Sequence, residues 1–348
     1  MASRDGNGWV RCELGHRHWG RFGAAGLLAY VLDGPVLLQQ RTWWSHHGGT
    51  WGLPGGARDS HEAALAAALR EAAEECGVPP GSVRQRGVFT DDHGGWSYTS
   101  VLAQAAEPFP VFSDDDESEE VGWVGPGDVG RLDLHPGFGA HWHELRAELS
   151  PVTIIVDAAN VMGSRPDGWW RDRAGAAVRL KNELVPLARE GITNLPGGMA
   201  GSVVTDRDAV PQPPRKDGGL ARAASVRSRS PITGYGPPPI FSYGLLDGGD
   251  ADDAGVGQTR MRWMPEVVLV VEGAARPAVE LDADVTQSDA AGAVSVVAAP
   301  GSGDDTIARL AAQTTGRRIV VTADRELRQR STAAGASVAG PSWLLGLL

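Results

Sequence analysis

The chain has 348 residues, a formal net charge of -11 and 22% charged residues. That length exceeds what one hydrophobic core normally serves, so two domains are expected. The acidic balance argues against a protein that coats nucleic acid over its whole surface, while leaving room for a local basic groove. Only two cysteines occur, Cys12 and Cys76, far apart in the sequence. They give no disulfide framework, and a reducing cytoplasm is the expected compartment. The N-terminus is too polar for a secretory apolar region, and no apolar run approaches the ~18 residues that a membrane helix needs.

In chain order, residues 25–32 form an apolar run, Asp33-Gly34 is a hairpin signal, and 36–40 reads as the return strand. A loop at 42–50 carries Trp43, Trp44, His46 and His47. The two histidines read as surface residues first and phosphate contacts second. Trp51-Gly52-Leu53-Pro54-Gly55-Gly56 then leads into a helix expected over 60–76. Ser60 is its candidate N-cap, and Gly77 before Pro79-Pro80 is its stop. Strands are expected at 87–90, 96–103 and 120–124, and a helix at 137–149. Asp91, Asp92 and His93 read as turn chemistry before Gly94-Gly95 and only second as substrate contacts. Twelve tryptophans are enough for one or two to stack on a base.

A boundary is expected near Pro151, dividing the chain into domains at 1–150 and 151–348. Beyond it the pattern alternates: strands at 152–156, 266–271, 293–298 and 318–322, helices at 173–189, 304–313 and 325–334. Such alternation predicts a parallel sheet with right-handed crossovers. Pro and Gly (8 and 12 residues) crowd the 63 positions 196–258, which marks a flexible insertion. Its basic patch, Arg215 to Arg229, reads as solvated loop or as an RNA-contacting arm.

The richest segment is 56–78, GARDSHEAALAAALREAAEECGV. On a helix Glu71, Glu74 and Glu75 stand at i, i+3 and i+4, so three carboxylates share one face. A solvated acidic face with Arg70 as partner is the plain explanation of E-x-x-E-E alone. A hard divalent ion is the chemical alternative, because it prefers carboxylate and phosphate oxygens. The whole pattern G-x5-E-x7-R-E-x-x-E-E-x-G-V, from Gly56 through Glu62 to Val78, resembles the box of the Nudix hydrolases. The resemblance implies an α/β/α sandwich with a mixed sheet and hydrolysis of a nucleoside diphosphate derivative with Mg²⁺, or Mn²⁺ in its place. It implies that Glu74 and Glu75 hold the ion, with the main chain at Gly55 or Gly56 completing the set. Glu71 is then a further ligand or the acceptor of the water's proton. Arg70 orients the carboxylates and Glu62 braces the loop. The general base can also lie outside the box, with Glu119 or Glu120, in the acidic run 114–120, the candidates.

The second half carries its own acids at strand ends, where open parallel sheets gather ligands. They are Asp157, Glu272, Asp304-Asp305 and Asp324. Each one alone reads as a helix cap. Val156-Asp157-Ala158-Ala159-Asn160, Gly303-Asp304-Asp305 and Thr322-Ala323-Asp324 resemble motifs of NYN or PIN-like nuclease domains. That resemblance implies metal-dependent RNA cleavage with Asp157, Asp305 and Asp324 as ligands, and Asn160 and Asp304 in support. Basic residues such as Arg173, Lys181 and Arg328 could hold phosphates or form a solvated surface. The leading expectation is therefore a pyrophosphohydrolase fused to a parallel-sheet α/β domain that binds or cleaves RNA. The alternative is an RNA factor in which the first domain is a scaffold. Selectivity lies in loops outside the box, so the substrate stays open.

Overall fold

The computed structural model describes residues 4–113, 118–196, 256–283 and 294–348. Residues 197–255, which make up nearly all of the expected insertion with its basic patch, lie outside them, as do 114–117 of the acidic run.

The first half opens with a hairpin, β1 (Trp9–Arg11) and β2 (Arg17–Trp19). It continues through β3 (Ala24–Val31), β4 (Val36–Arg41), β5 (Trp51–Gly52), β6 (Gly55–Ala57), α1 (Ala64–Cys76), β7 (Val83–Asp92), β8 (Ser97–Ala105), β9 (Ser118–Val124) and α2 (Pro136–Ala147). Strands β7, β8, β3, β4 and β5 lie in that order, with β6 on β3 and β9 on β4. β3 runs parallel to β8 and the remaining pairs are antiparallel, so the sheet is mixed. The strand period of two decides which side each residue serves. Ala25, Leu27 and Ala29 meet Ala67, Ala68 and Ala72 of α1. Leu28 and Tyr30 share the opposite core with Phe138, Trp142 and Leu145 of α2. The expected α/β/α sandwich follows, because β3 is apolar on both faces.

The second half runs β10 (Val152–Asp157), α3 (Ala158–Gly163), α4 (Arg173–Glu190), β11 (Gln258–Trp263), β12 (Glu266–Val271), α5 (Ala278–Ala283) and β13 (Val294–Ala298). Then come α6 (Gly303–Gln313), β14 (Arg317–Val321), α7 (Arg325–Ala333), β15 (Ser337–Ala339) and α8 (Pro341–Leu345). Five strands form an all-parallel sheet in the order β13, β12, β10, β14, β15. Helices α3 and α4 cover one face and α6 and α7 the other. The expected parallel sheet is present. Among the described residues no helix is long and apolar enough to cross a membrane.

Two features depart from the expectations. First, β11 belongs to neither the insertion nor the second sheet. It extends the first sheet, antiparallel to β7 from Gln258↔Asp92 to Trp263↔Gly87. The chain thus returns to the first sheet before entering β12, and a division at residue 150 leaves one strand on the far side. Its sequence does alternate, with Met261 and Trp263 inward and Arg260 and Arg262 outward. Second, α1 starts at Ala64, and its N-cap Ala63 makes no side-chain cap bond. Ser60 is not the cap, because the preceding segment is committed elsewhere. Asp59 Oδ1 accepts from Gly6 N at 2.8 Å, Ser60 N donates to Asp5 Oδ1 at 2.9 Å, and Glu62 N closes a turn on the Asp59 carbonyl. The C-terminal stop is as expected, with Gly77 left-handed at φ 66°.

Candidate active site

α1 and the turn before it bring Glu62, Arg70, Glu71, Glu74 and Glu75 together. Arg70 is the hub. Its Nε and Nη2 each donate to Glu62 at 2.8 Å, and its Nη1 donates to Glu71 at 2.7 Å and Glu74 at 3.4 Å. Nη2 also donates to the Ala57 carbonyl at 3.2 Å, tying helix to loop. Glu74 has a second cation, Arg4. The repulsion expected of a three-carboxylate stripe is thus offset by guanidinium groups.

The carboxylates differ in environment. Glu75 is buried, and its Oε2 accepts from Gly55 N at 2.8 Å and from Gln39 Nε2 at 3.0 Å. Glu74 is the exposed one. The Arg70 hydrogen bonds hold Glu62 below the usual carboxylate range. Glu71 goes the other way: burial pushes its carboxyl up, and the Arg70 pairing offsets only part of that. The loop reaches this cluster only because it is glycine. A Cβ on Gly55 would fall 2.4 Å from the Ala25 carbonyl oxygen, and one on Gly56 would fall 2.6 Å from Glu71 Oε1.

Gly55 also lines a cavity of about 130 Å³ between the sheet and α2, together with Arg41, Phe89, Asp91, His135 and Phe138. His135 caps this space. Burial first, then the nearby His47, Arg41 and His46, push its imidazole down to about 3. His47 lies against His135 with ring centroids 4.8 Å apart, and against His46 at 4.1 Å. The loop histidines therefore crowd the rim of the cavity. Arg41 also lines it, its Nε donating to the His46 carbonyl at 3.1 Å.

Asp91 and His93 are not turn residues alone. β7 runs through Asp92, so alternation turns Asp91 inward, and both side chains are buried. Asp91 Oδ2 meets His93 Nε2 at 2.9 Å and His141 Nε2 at 3.0 Å, and Oδ1 accepts from Gly257 N at 2.8 Å. Asp92 keeps the expected turn role, accepting from Gly94 N at 3.0 Å. Glu119 and Glu120 are exposed on β9, where Glu119 accepts from Trp43 N at 3.0 Å. Sequence reasoning missed Arg41, His135 and His141, which no local spacing ties to the box.

The second group of acids also assembles. Asp157 is buried at the end of β10. It accepts from Asn160 N at 3.1 Å, Asn160 Nδ2 at 2.6 Å and Thr322 Oγ1 at 2.8 Å. Asp324 caps α7 by accepting from Leu327 N, and Glu272 accepts from Gly303 N. Asp304 is raised by burial first and then by the charges of Asp157, Asp324 and Glu272. Asp305 is not part of this group. It is exposed and pairs with Arg330 at 2.7 Å, because the α6 turn places it one residue round the helix from Asp304. Asp157 and Asp324 also serve as caps, so the plain explanation holds for both of them as well.

The NUDIX domain family model matches residues 21–145. "Putative 8-oxo-dGTP diphosphatase 3" of Mycobacterium tuberculosis is 46% identical over 160 residues, covering 43% of this chain and 72% of that protein. A nucleoside triphosphate pyrophosphatase/Nudix hydrolase fusion protein of Bifidobacterium longum is 39% identical over 152 residues, 41% of this chain and 32% of its own. The crystal structure of a Nudix hydrolase from M. smegmatis, RenU, is 49% identical, with a TM-score of 0.38 over 41% of this chain and 94% of that one. With the glutamate-lined helix and its glycine loop, the family model and the M. tuberculosis relative show that the chain belongs to the Nudix family and is a hydrolase acting on pyrophosphate bonds.

Proposed function

We propose that the chain is a divalent-metal-dependent pyrophosphohydrolase acting on a nucleoside diphosphate derivative, with Mg²⁺ as the ion and Mn²⁺ able to replace it. The carrying observation is the meeting of Glu71, Glu74 and Glu75 with a glycine loop whose Gly55 also lines the cavity. The donor set fits a hard cation: carboxylate oxygens on one stripe, and a Gly56 main chain so close to Glu71 that no Cβ fits between them. Glu74, Glu75, Glu71 and the Gly56 carbonyl are the assigned ligands. The bound ion would neutralise phosphate charge and acidify the attacking water.

The chain's own residues do the rest. Arg70, fixed by its fork on Glu62, sets the carboxylate geometry. Glu71, with its carboxyl lifted by burial, suits acceptance of the water's proton. Arg41 at the cavity wall suits a phosphate oxygen, and Phe89 and Phe138 suit a base. Water attacks one phosphorus, the anhydride P–O bond breaks, and the departing phosphate carries the bond's electron pair. The name of the M. tuberculosis relative makes 8-oxo-dGTP the first compound to assay.

A nucleotide panel with Mg²⁺ or Mn²⁺ tests this. Glu71→Gln should lower kcat by roughly 10²–10⁴-fold. Glu74→Gln with Glu75→Gln should abolish turnover, and Arg41→Gln should raise KM. Unchanged phosphate release by the double variant on every hydrolysed nucleotide would overturn the proposal and favour the scaffold alternative.

A second reading rests on the gathering of Asp157, Asp304, Asp324 and Glu272. We infer from it a metal-dependent RNA-binding or RNA-cleaving role of the NYN or PIN-like type for the second half. Asn160 orients Asp157, and Asp305 lies outside the ligand set. Single-stranded RNA incubated with Mn²⁺ should be cut by the parent and spared by Asp304→Asn and Asp324→Asn. If Asp324→Asn lowers only the melting temperature, that acid is a cap and this reading fails.

A further inference from the structure

A second constellation has no place in this chemistry. Cys12, His16, His18 and His93 each offer a ligand atom, and all four atoms lie within 4.8 Å of one another. We propose that these four residues form a closed transition-metal site, suited above all to zinc, that pins the N-terminal hairpin to the β7–β8 turn.

The hairpin explains the convergence. Its register pairs Arg11 with Arg17 and Val10 with His18, so the next pair is Cys12 with His16. Cys12 N donates to the His16 carbonyl at 3.1 Å, and Gly15 N donates to the Cys12 carbonyl at 3.0 Å. The period of two then puts Cys12, His16 and His18 on one face of the hairpin. The β7–β8 turn brings the fourth member. Glu13 N donates to the Gly94 carbonyl at 2.9 Å, and Trp96 Nε1 donates to the Trp19 carbonyl at 3.2 Å. The His18 ring stacks on Trp96, with centroids 3.9 Å apart and planes 7° apart.

The state of His93 points to a ligand. The residue is 4% exposed, and its Nε2 is engaged by Asp91, yet its Nδ1 is buried with no hydrogen-bond partner among the described residues. His16 Nδ1 is in the same condition. A buried imidazole nitrogen so left carries a desolvation cost that a metal bond removes. The Asp91–His93 pair is also the arrangement that orients a ligating histidine through its other nitrogen. A buried lone thiol is ordinarily a small hydrophobe, but Cys12 faces three imidazoles.

Charge and size agree. A divalent ion with one thiolate and the Asp91 carboxylate next to it sums to zero, so the site is buried without net charge. Three nitrogens and one sulfur suit zinc and are foreign to magnesium. Bonds of zinc length place ligand atoms roughly 3.3–3.8 Å apart, a contraction that side-chain rotation supplies. All four positions are protein groups, so the role is structural. His18, His93 and Trp96 line the substrate cavity, and Asp91 also holds His141 of α2 and Gly257. The metal would therefore stiffen one wall of that cavity.

Untagged full-length protein, dialysed against metal-free buffer, should retain one zinc per chain by mass spectrometry. Exchange with Co²⁺ should give tetrahedral d–d bands and a thiolate charge-transfer band. Cys12→Ser should lose the charge-transfer band, and His93→Gln should lose the retained zinc. Cys76→Ser and the Glu74→Gln, Glu75→Gln double variant should keep both. Absence of stoichiometric zinc and of cobalt bands in the parent, which needs no variant to fold, would overturn the proposal. Zinc retention unchanged by Cys12→Ser and His93→Gln together would do so too.

Discussion

Glu71 sits where two demands oppose. Its burial raises the carboxyl's pKa above 4.5, yet the chemistry assigned to it needs the ionised form. Without added divalent ion, its charge therefore works against folding. The stability tied to its protonated form is full below pH 4.5 and is lost as pH rises through the raised value. Glu71→Gln, which mimics that form, should melt above the parent at pH 7 in buffer free of added Mg²⁺, the gap closing below pH 4.5. Added Mg²⁺ should reverse the order, because the ion stabilises only the carboxylate. Melting curves in four buffers check this, and equal curves at pH 7 would show that burial does not raise the Glu71 carboxyl. His135 carries the opposite sign. Its pKa falls to about 3, so the stability it supplies is present above pH 6.5 and drains away as pH falls toward 3. His135→Asn should flatten that acid limb by up to ~1.4 kcal/mol per pH unit, measured by urea unfolding. The glutamate stripe can be read from spacing because its members lie within one helical turn. His135 cannot, since its partners at 41 and 46–47 reach it only through the fold.

At the level of elements, α1 ends where sequence predicts and begins where it does not, for reasons of different range. The stop is local: Gly77 at φ 66° satisfies the last carbonyls, its N–H donating to the Ala72 and Ala73 oxygens. Gly77→Ala should cost roughly 1–2 kcal/mol from the left-handed backbone alone. It should cost more in practice, because its Cβ would fall 2.6 Å from the Phe112 ring. Urea midpoints read this directly, and a neutral result would mean that the turn relaxes. The start is set by distant partners, Asp5 and Gly6, which take Ser60 and Asp59 out of capping. β11 teaches the same lesson. Its alternation of arginine with Met261 and Trp263 is plain, but its position after a Pro- and Gly-rich stretch hides which sheet it joins. Pairing to β7 across more than 160 residues is not a local property.

Among the described residues, the two sheets are joined by a continuous seam. One core cluster runs from Leu28 and Leu102 through Trp142, Leu145 and Trp263 to Ile154, Val267 and Leu344. Trp263 stands at its centre, 2% exposed, and its Nε1 donates to Glu148 at 2.7 Å. Glu148 also receives Arg317 from the base of β14 at 2.6 Å, and Glu266 at the start of β12 receives Arg84 and Arg86 of β7. The two halves therefore share apolar surface and a half-buried polar junction, and their unfolding is expected to be coupled. Trp263→Ala should remove about 3–5 kcal/mol. The loss should appear in both halves at once, since the residue lies in the first sheet yet bonds Ile192 and packs in one cluster with Ile154 and Val267 of the second half. Urea unfolding followed by far-ultraviolet circular dichroism and by loss of nucleotide hydrolysis should give coincident transitions in the parent. In the variant both should shift to lower urea together. Should hydrolysis survive at concentrations where the variant's dichroism has fallen by half, the first sheet would stand without the second, and the seam would be a contact between independent domains.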